Sequence, residues 1–339
     1  MVQFVCMKNL HAKSPCCQGK INKFGSRRRQ CSLCGKTWRI RRKKTGKKRK
    51  RESQDFLFKY LKHEVPSLYA LARFKKISKD KLYRRLERSL NAFLRHSSWP
   101  PIPTDKPLVT LTDAMIQFID SRVYTIYIIL LRPINETKAT IVVPHISPGT
   151  ETWSGWQEAF RKLPSKTKGQ ILAMVCDGHC GLTSLAKQHQ WILQRCQFHL
   201  LARLQAYCSK FTLSRHYQLG KSIYKQVMNI LENPDEEKIV RDLQVLKTTA
   251  RAVHSRGLKR TLSGFVKHYR DYRTYLYYPH LHLPKTNNAA ESLIGGIRNL
   301  LHRARGFRTF KSSTRWIEAF LKNKQKATCN GNYQPRKRD

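Results

Sequence analysis

The sequence predicts an α/β fold: a mixed five-stranded sheet interrupted by an all-helical insertion, with two small modules ahead of it. Three observations carry that expectation. Short apolar runs of strand length recur between residues 108 and 196, and the later ones alternate with helical stretches. From residue 199 to about 283 the apolar residues fall at helical spacing only. Ahead of both, four cysteines gather between residues 16 and 34 in a segment with few other apolar side chains.

Taken in order, residues 11–40 read as a zinc ribbon-like knuckle. "CSLCG" (Cys31, Cys34) is a C-x-x-C turn followed by glycine, and Cys16 and Cys17 lie upstream across a gap that fits two short strands. Thiolates suit Zn²⁺, which accepts four soft ligands tetrahedrally, and so small a segment needs a metal to stay folded. Zinc ribbons usually show C-P-x-C in the first knuckle. Here "SPCC" puts Ser14 at the first position, so Cys17, Cys31 and Cys34 are the expected ligands and the fourth is Cys16 or His11. Residues 41–52 are a basic tether that includes Arg41, Arg42, Lys43 and Lys44. Residues 53–96 predict three helices in a helix-turn-helix pattern. Ser67 and Ser78 are natural caps, and Lys79, Lys81, Arg84, Arg85 and Arg88 are placed to face DNA. "SSWPPIPTDKP" (97–107) is a linker.

A catalytic domain is expected over 108–311. Its strands are "LVTLTDAM", "YTIYIILL", "ATIVVP", "QILAMVC" and "WILQRC", with helices at "ETWSGWQEAFRKL" and "GLTSLAKQH". Three strands in a row followed by strand–helix alternation is the order of a ribonuclease H-like core. Phosphodiester transfer needs charge stabilisation at the attacking and leaving oxygens, which Mg²⁺ or Mn²⁺ supplies when held by hard carboxylate oxygens. Asp113 and Asp177 stand at the ends of the first and fourth strands, with Asp120 a competitor for Asp113. Past the insertion, "TNNAAE" opens a helix with Glu291 in its first turn, the expected third ligand. His179 and Cys180 read as local packing or DNA contacts, and the C-x-x-H pair Cys196 and His199 as packing and hydrogen bonding. Arg303, Arg305, Arg308 and Lys311 extend the Glu291 helix and are placed to hold phosphate. Residues 312–339 read as a basic tail.

Charge agrees with this chemistry. The chain carries 67 Lys and Arg against 21 Asp and Glu, a formal net charge of +46, which points to nucleic acid as partner. Residues 1–51 hold 18 basic residues and no acid. No apolar run reaches the roughly 18 residues of a membrane helix, no secretory signal is recognisable, and ten cysteines without a secreted context argue for metal ligation or buried thiols. The expectation is a cytoplasmic, nucleoid-associated protein.

"TLTDAM", "CDGHCGL", "QRCQFH" and "TNNAAES" resemble, in order and spacing, the DDE transposases of bacterial insertion sequences, specifically the Mutator-like group. The resemblance covers most of residues 11–310. It implies metal-dependent cleavage at transposon 3′ ends and strand transfer through Asp113, Asp177 and Glu291. It also implies a helical insertion before the glutamate helix, terminal-repeat recognition by the N-terminal modules, and a synaptic dimer or larger assembly. The incomplete first zinc knuckle departs from the pattern.

Overall fold

The computed structural model describes residues 13–14, 16–25, 28–39, 56–65, 67–208, 217–303 and 309–329. His11, the tether residues Arg41, Arg42, Lys43 and Lys44, and Arg305 and Arg308 lie outside them. The chain divides into two compact units, Met1–Gln54 and Asp55–Asp339.

In the first unit, β1 (Ile21–Lys23), β2 (Arg28–Cys31) and β3 (Thr37–Arg39) form an antiparallel sheet in that order. Two strands were expected; the third follows from "CSLCGKTW", where Gly35 at φ +69 supplies the left-handed conformation that reverses the chain. Cys31 is the only buried hydrophobic side chain among the described residues here, while Phe24 and Leu33 are exposed. Apolar burial therefore does little to hold this unit together.

The second unit opens with α1 (56–61), α2 (Leu68–Phe74) and α3 (Lys79–His96). Ser67 and Ser78 cap α2 and α3 as their sequence positions predict, accepting from the amides of Ala70 and Lys81. The strands follow: β4 (Leu108–Ile119), β5 (Arg122–Pro133), β6 (Lys138–Ile141) and β7 (His145–Pro148). Next come α4 (Trp153–Arg161), α5 (Ser165–Gly169), β8 (Ile171–Cys176), α6 (Cys180–Gln188) and β9 (Ile192–Arg195). The insertion holds α7 (Gln197–Gln205), α8 (Tyr217–Glu232), α9 (Glu236–Ala252), α10 (Arg256–His268) and α11 (Thr274–Tyr277). The chain then returns through α12 (Asn288–Arg303), α13 (Phe310–Lys324) and β10 (Lys326–Thr328).

The mixed sheet runs β10-β6-β5-β4-β8-β9, with β7 also on β5: seven strands, not five. The two extra strands have physical causes. Pro144 breaks the run after β6, so the twelve-residue β5 pairs with β6 around Leu130 and with β7 around Ile126. The segment 312–339 is not simply a tail, because α13 is amphipathic and carries β10 back to the sheet edge beside β6.

Alternation along the strands sorts the core. Val109, Leu111 and Met115 face one side, where Leu86, Ile297, Trp316 and Phe320 meet them. Tyr127, Ile129 and Met174 face the other, against Trp156, Phe160 and Leu185. The insertion has its own core around Val227, Ile230, Leu246 and Phe265. The segment α1–α3 thus shares the core of the sheet. Arg303 is part of that join. Expected to grip phosphate, its guanidinium instead donates to the carbonyls of Val65 (2.6 Å) and Tyr60 (3.1 Å), contacts His63, and lies over the Tyr60 ring.

Candidate active site and metal clusters

β4 and β8 run parallel with Leu111 opposite Val175. Two residues further along each strand direction stand Asp113 and Asp177, so the register sets them at one level. Asp120 sits seven residues beyond Asp113, exposed in the two-residue turn between β4 and β5 at φ +52, about 20 Å further along the hairpin. It is remote from any cluster with Asp113.

Glu291 reaches the same place from the other end of the fold. Asn287, wholly buried, donates its side-chain amide to the carbonyl of Thr112 (2.7 Å) and its backbone N–H to the Cys196 sulfur (3.1 Å). The Gln197 amide donates to the carbonyl of Lys285 (2.9 Å). These bonds pin the start of α12 to the residue before Asp113 and to the start of α7. One turn into α12, Glu291 then meets Asp113, and His199 arrives from the first turn of α7. Ligand atoms of Asp113, His199 and Glu291 lie within 4.8 Å of one another, with His199 Nε2 2.7 Å from Glu291 Oε1.

The electrostatics are those of a site short of positive charge. Burial, then the charge of Glu291, pushes Asp113 up to about 8. Burial alone would lower His199, but hydrogen bonding to Cys196 and Glu291 and the charge of Asp113 raise it to about 11. Burial, the largest single influence, works to raise Glu291, but the hydrogen bond and charge of His199, the hydrogen bond to Asp113 and the charge of Arg298 together leave its carboxyl below the ordinary value. Asp113 also accepts from the Ala114 amide at 2.9 Å.

Asp177 stands beside this set rather than within it. Its Oδ1 accepts from the backbone N–H of His179 at 2.8 Å, across Gly178 at φ +87. Its charge contributes to the rise at Asp113. His199 and Glu151 are residues that sequence reasoning undervalued or missed. Cys196 and His199 read as packing and hydrogen bonding, and both do hydrogen-bond, Cys196 with the Asn287 amide and His199 with Glu291; what that reading undervalued is the place of His199 among the carboxylates. Glu151, just before the Thr152 cap of α4, lies 3.3 Å from His179 Nδ1 and accepts from the Trp156 indole at 2.7 Å. No spacing pattern announces it.

In the first unit, Cys16, Cys17, Cys31 and Cys34 also bring their sulfurs within 4.8 Å of one another. The fourth position falls to Cys16, while Ser14 hydrogen-bonds Cys31 at 3.0 Å. Hydrogen bonding to Cys34 and burial push Cys17 up to about 12, while the Ser14 hydroxyl and backbone amides draw Cys31 down to about 6. The donor sets differ in kind: four soft thiols suit a tetrahedral Zn²⁺, whereas two carboxylates and an imidazole beside a third carboxylate suit a harder cation. Among the described residues these are the two groups that can hold a metal ion.

On α3, Lys79, Lys81, Arg84 and Arg88 are exposed and Arg85 is half-buried, leaving basic side chains free to face a partner. No helix among the described residues is long and apolar enough to cross a membrane.

A family model described as "Transposase, Mutator family" matches residues 123–329, more than half of the chain and the span that contains Asp177, His199 and Glu291. The chain belongs to the Mutator family of transposases. Membership makes it a nucleic-acid-processing enzyme with DNA as its partner. Asp113 precedes the matched span and joins the site through the β4–β8 register. No curated protein matches the chain.

Proposed function

We propose that this Mutator-family chain is a DDE transposase that cuts the 3′ ends of its element and joins them to target DNA through Asp113, Asp177 and Glu291. The observation that carries the reading is the meeting of Asp113 and Glu291, from a central strand and from the helix beyond the insertion, with ligand atoms within 4.8 Å of each other. The order β6-β5-β4-β8-β9, with β4–β8 and β8–β9 parallel, supports a ribonuclease H-like core.

The donor set fits Mg²⁺ or Mn²⁺, since Asp113 is kept protonated by burial and by Glu291, a repulsion that a cation relieves. Such ions, when bound, would stabilise the attacking and leaving oxygens of an in-line phosphoryl displacement. The chain's own work is positional. Asn287 fixes the Glu291 turn against β4, and His199 orients the Glu291 carboxylate. The β4–β8 register sets Asp113 beside Asp177, and the Asp113 proton must leave before its carboxylate can bind a cation. Zn²⁺ on Cys16, Cys17, Cys31 and Cys34 would hold the N-terminal module that, with α2 and α3, recognises the terminal repeats. Two ends require a synaptic dimer or larger assembly.

Incubating the chain with DNA carrying the element's ends, a target plasmid and Mg²⁺ tests the reading. Joined products are expected and should vanish in Asp113→Asn, Asp177→Asn and Glu291→Gln. Cut ends without joining would mean a ribonuclease H-like nuclease. Full activity in all three variants would refute the site, and DNA binding without any cleavage would mean a regulator derived from a transposase.

A further inference from the structure

Asp177 is the one carboxylate of the site that is not delivered by regular structure. It follows the last residue of β8 and sits on a short loop that leads into α6. Something must hold that loop, and the contacts show two braces. On one side, Gly178 presses against Arg195, such that a Cβ there would come within 2.9 Å of the guanidinium; Arg195 is itself paired with Asp271 at 3.1 Å. On the other side stands Glu151. Its Oε1 accepts from the indole N–H of Trp156 at 2.7 Å, and Trp156 is fully buried among Tyr127 and Phe160. The same oxygen faces His179 Nδ1 at 3.3 Å. The same Nδ1 lies 3.2 Å from the Gly181 amide at the start of α6; when protonated it donates to Glu151 instead of accepting from Gly181, and the backbone N–H of His179 donates to Asp177 Oδ1 (2.8 Å).

We propose that Glu151 is a positioning residue: anchored by Trp156, it clamps His179 and thereby aims the Asp177 carboxylate at the reacting phosphate. This rests on the reading of Asp177 as a site carboxylate. The geometry is a relay from a rigid core tryptophan to a loop carboxylate, and each link is a single polar contact. Such outer partners of metal-binding carboxylates act about 10- to 100-fold on metal affinity or activity when removed. Glu151 is a half-buried acid in a chain with few acids, and the groups that act on it are Trp156, His179 and Asp177 of this relay and His199 beside it.

The test uses the full-length chain and Glu151→Gln, which retains an oxygen for the Trp156 indole but loses the charge facing His179. Three readouts are taken: amide exchange of residues 178–181 without metal, Mn²⁺ affinity by titration calorimetry without DNA, and steady-state cleavage of end DNA. Expected are faster exchange confined to that loop, about 10-fold weaker Mn²⁺ binding, and kcat reduced at least 10-fold with KM for DNA unchanged. His179→Ala placed on Glu151→Gln should add little, because both cut one relay. Glu158→Gln, on the exposed face of α4, should match the wild type in every readout.

If Asp177→Asn weakens Mn²⁺ binding while Glu151→Gln leaves exchange, affinity and kcat at wild-type values, the proposal is overturned and the site reading stands. If neither the wild type nor any variant binds Mn²⁺, both fall together. Additive losses in the double variant would also overturn it, since the two side chains would then act separately.

Discussion

The two metal-capable clusters of this chain are built on opposite principles. The four sulfurs near the N-terminus sit in a unit whose only buried hydrophobic side chain, among the described residues, is Cys31. The Asp113–His199–Glu291 group sits on a seven-stranded sheet with helices on both faces and dozens of buried apolar side chains. In the first case the ligands have to make the fold; in the second the fold makes the ligand set. The soft cluster is therefore local in sequence and the hard one is drawn from β4, α7 and α12. Loss of metal should unfold the first and merely relax the second.

Removing the Zn²⁺ proposed for the four cysteines is the sharpest way to break this comparison, because structural zinc supplies about 10–16 kcal/mol to small domains. Cys31→Ser, or a strong chelator, should abolish amide protection across residues 16–39 while protection in β4, β5 and β8 stays as in the untreated chain. Exchange measured by mass spectrometry would show both. Equal loss in the two units would deny that they are separately stabilised.

The converse experiment strips the hard cluster. Asp177→Asn or Glu291→Gln should lower the rate of end cleavage by about 10⁴-fold, the scale on which losing one member of a catalytic constellation acts. Circular dichroism and zinc content should be unchanged.

A smaller effect separates stability from function at Asp113. Its pKa is about 8 in the folded chain, well above its ordinary carboxylate value, because burial and Glu291 oppose its charge. The folded state therefore binds the proton more tightly than the unfolded chain. The stabilising effect is complete below about pH 4 and is lost as pH rises towards 8. Asp113→Asn should accordingly raise the melting temperature of the metal-free chain at pH 8 by a few degrees, relative to the wild type, while cleavage is lost. The same proton predicts that Mn²⁺ affinity in the wild type strengthens between pH 6 and 8. A flat pH profile would show that Asp113 is already charged.

The smallest effects concern DNA grip. Arg84→Ala on the exposed face of α3 should reduce the slope of log affinity against log salt by about 1. Arg303→Ala should leave that slope alone and lower the melting temperature, because its guanidinium is spent on Val65, Tyr60 and His63. Gel-shift titrations across salt concentrations, beside thermal melts, distinguish the two.

Much of this was legible without coordinates where the signal is local. The caps at Ser67 and Ser78, the strands around Asp113 and Asp177, the cysteine spacing and the helix carrying Glu291 all follow from neighbours in sequence. β7 and β10 were missed because each is held by pairing to a distant strand, and four or three residues carry no periodicity of their own. Arg303 was misplaced for a related reason: a basic residue at the end of the helix that carries Glu291 looks solvent-facing until α1 is packed beside it.

By itself, then, the sequence determined the charge, the soft-ligand cluster and the main strands and helices around Asp113, Asp177 and Glu291, since each depends on residue type and short-range spacing. Tertiary structure alone decided that His199 bonds Glu291, that Asn287 pins the helix start to β4, and that Glu151 reaches the Asp177 loop through His179. Those contacts join residues far apart in the chain, and their distances follow from how α4, α7 and α12 settle on the sheet, a collective outcome of core packing.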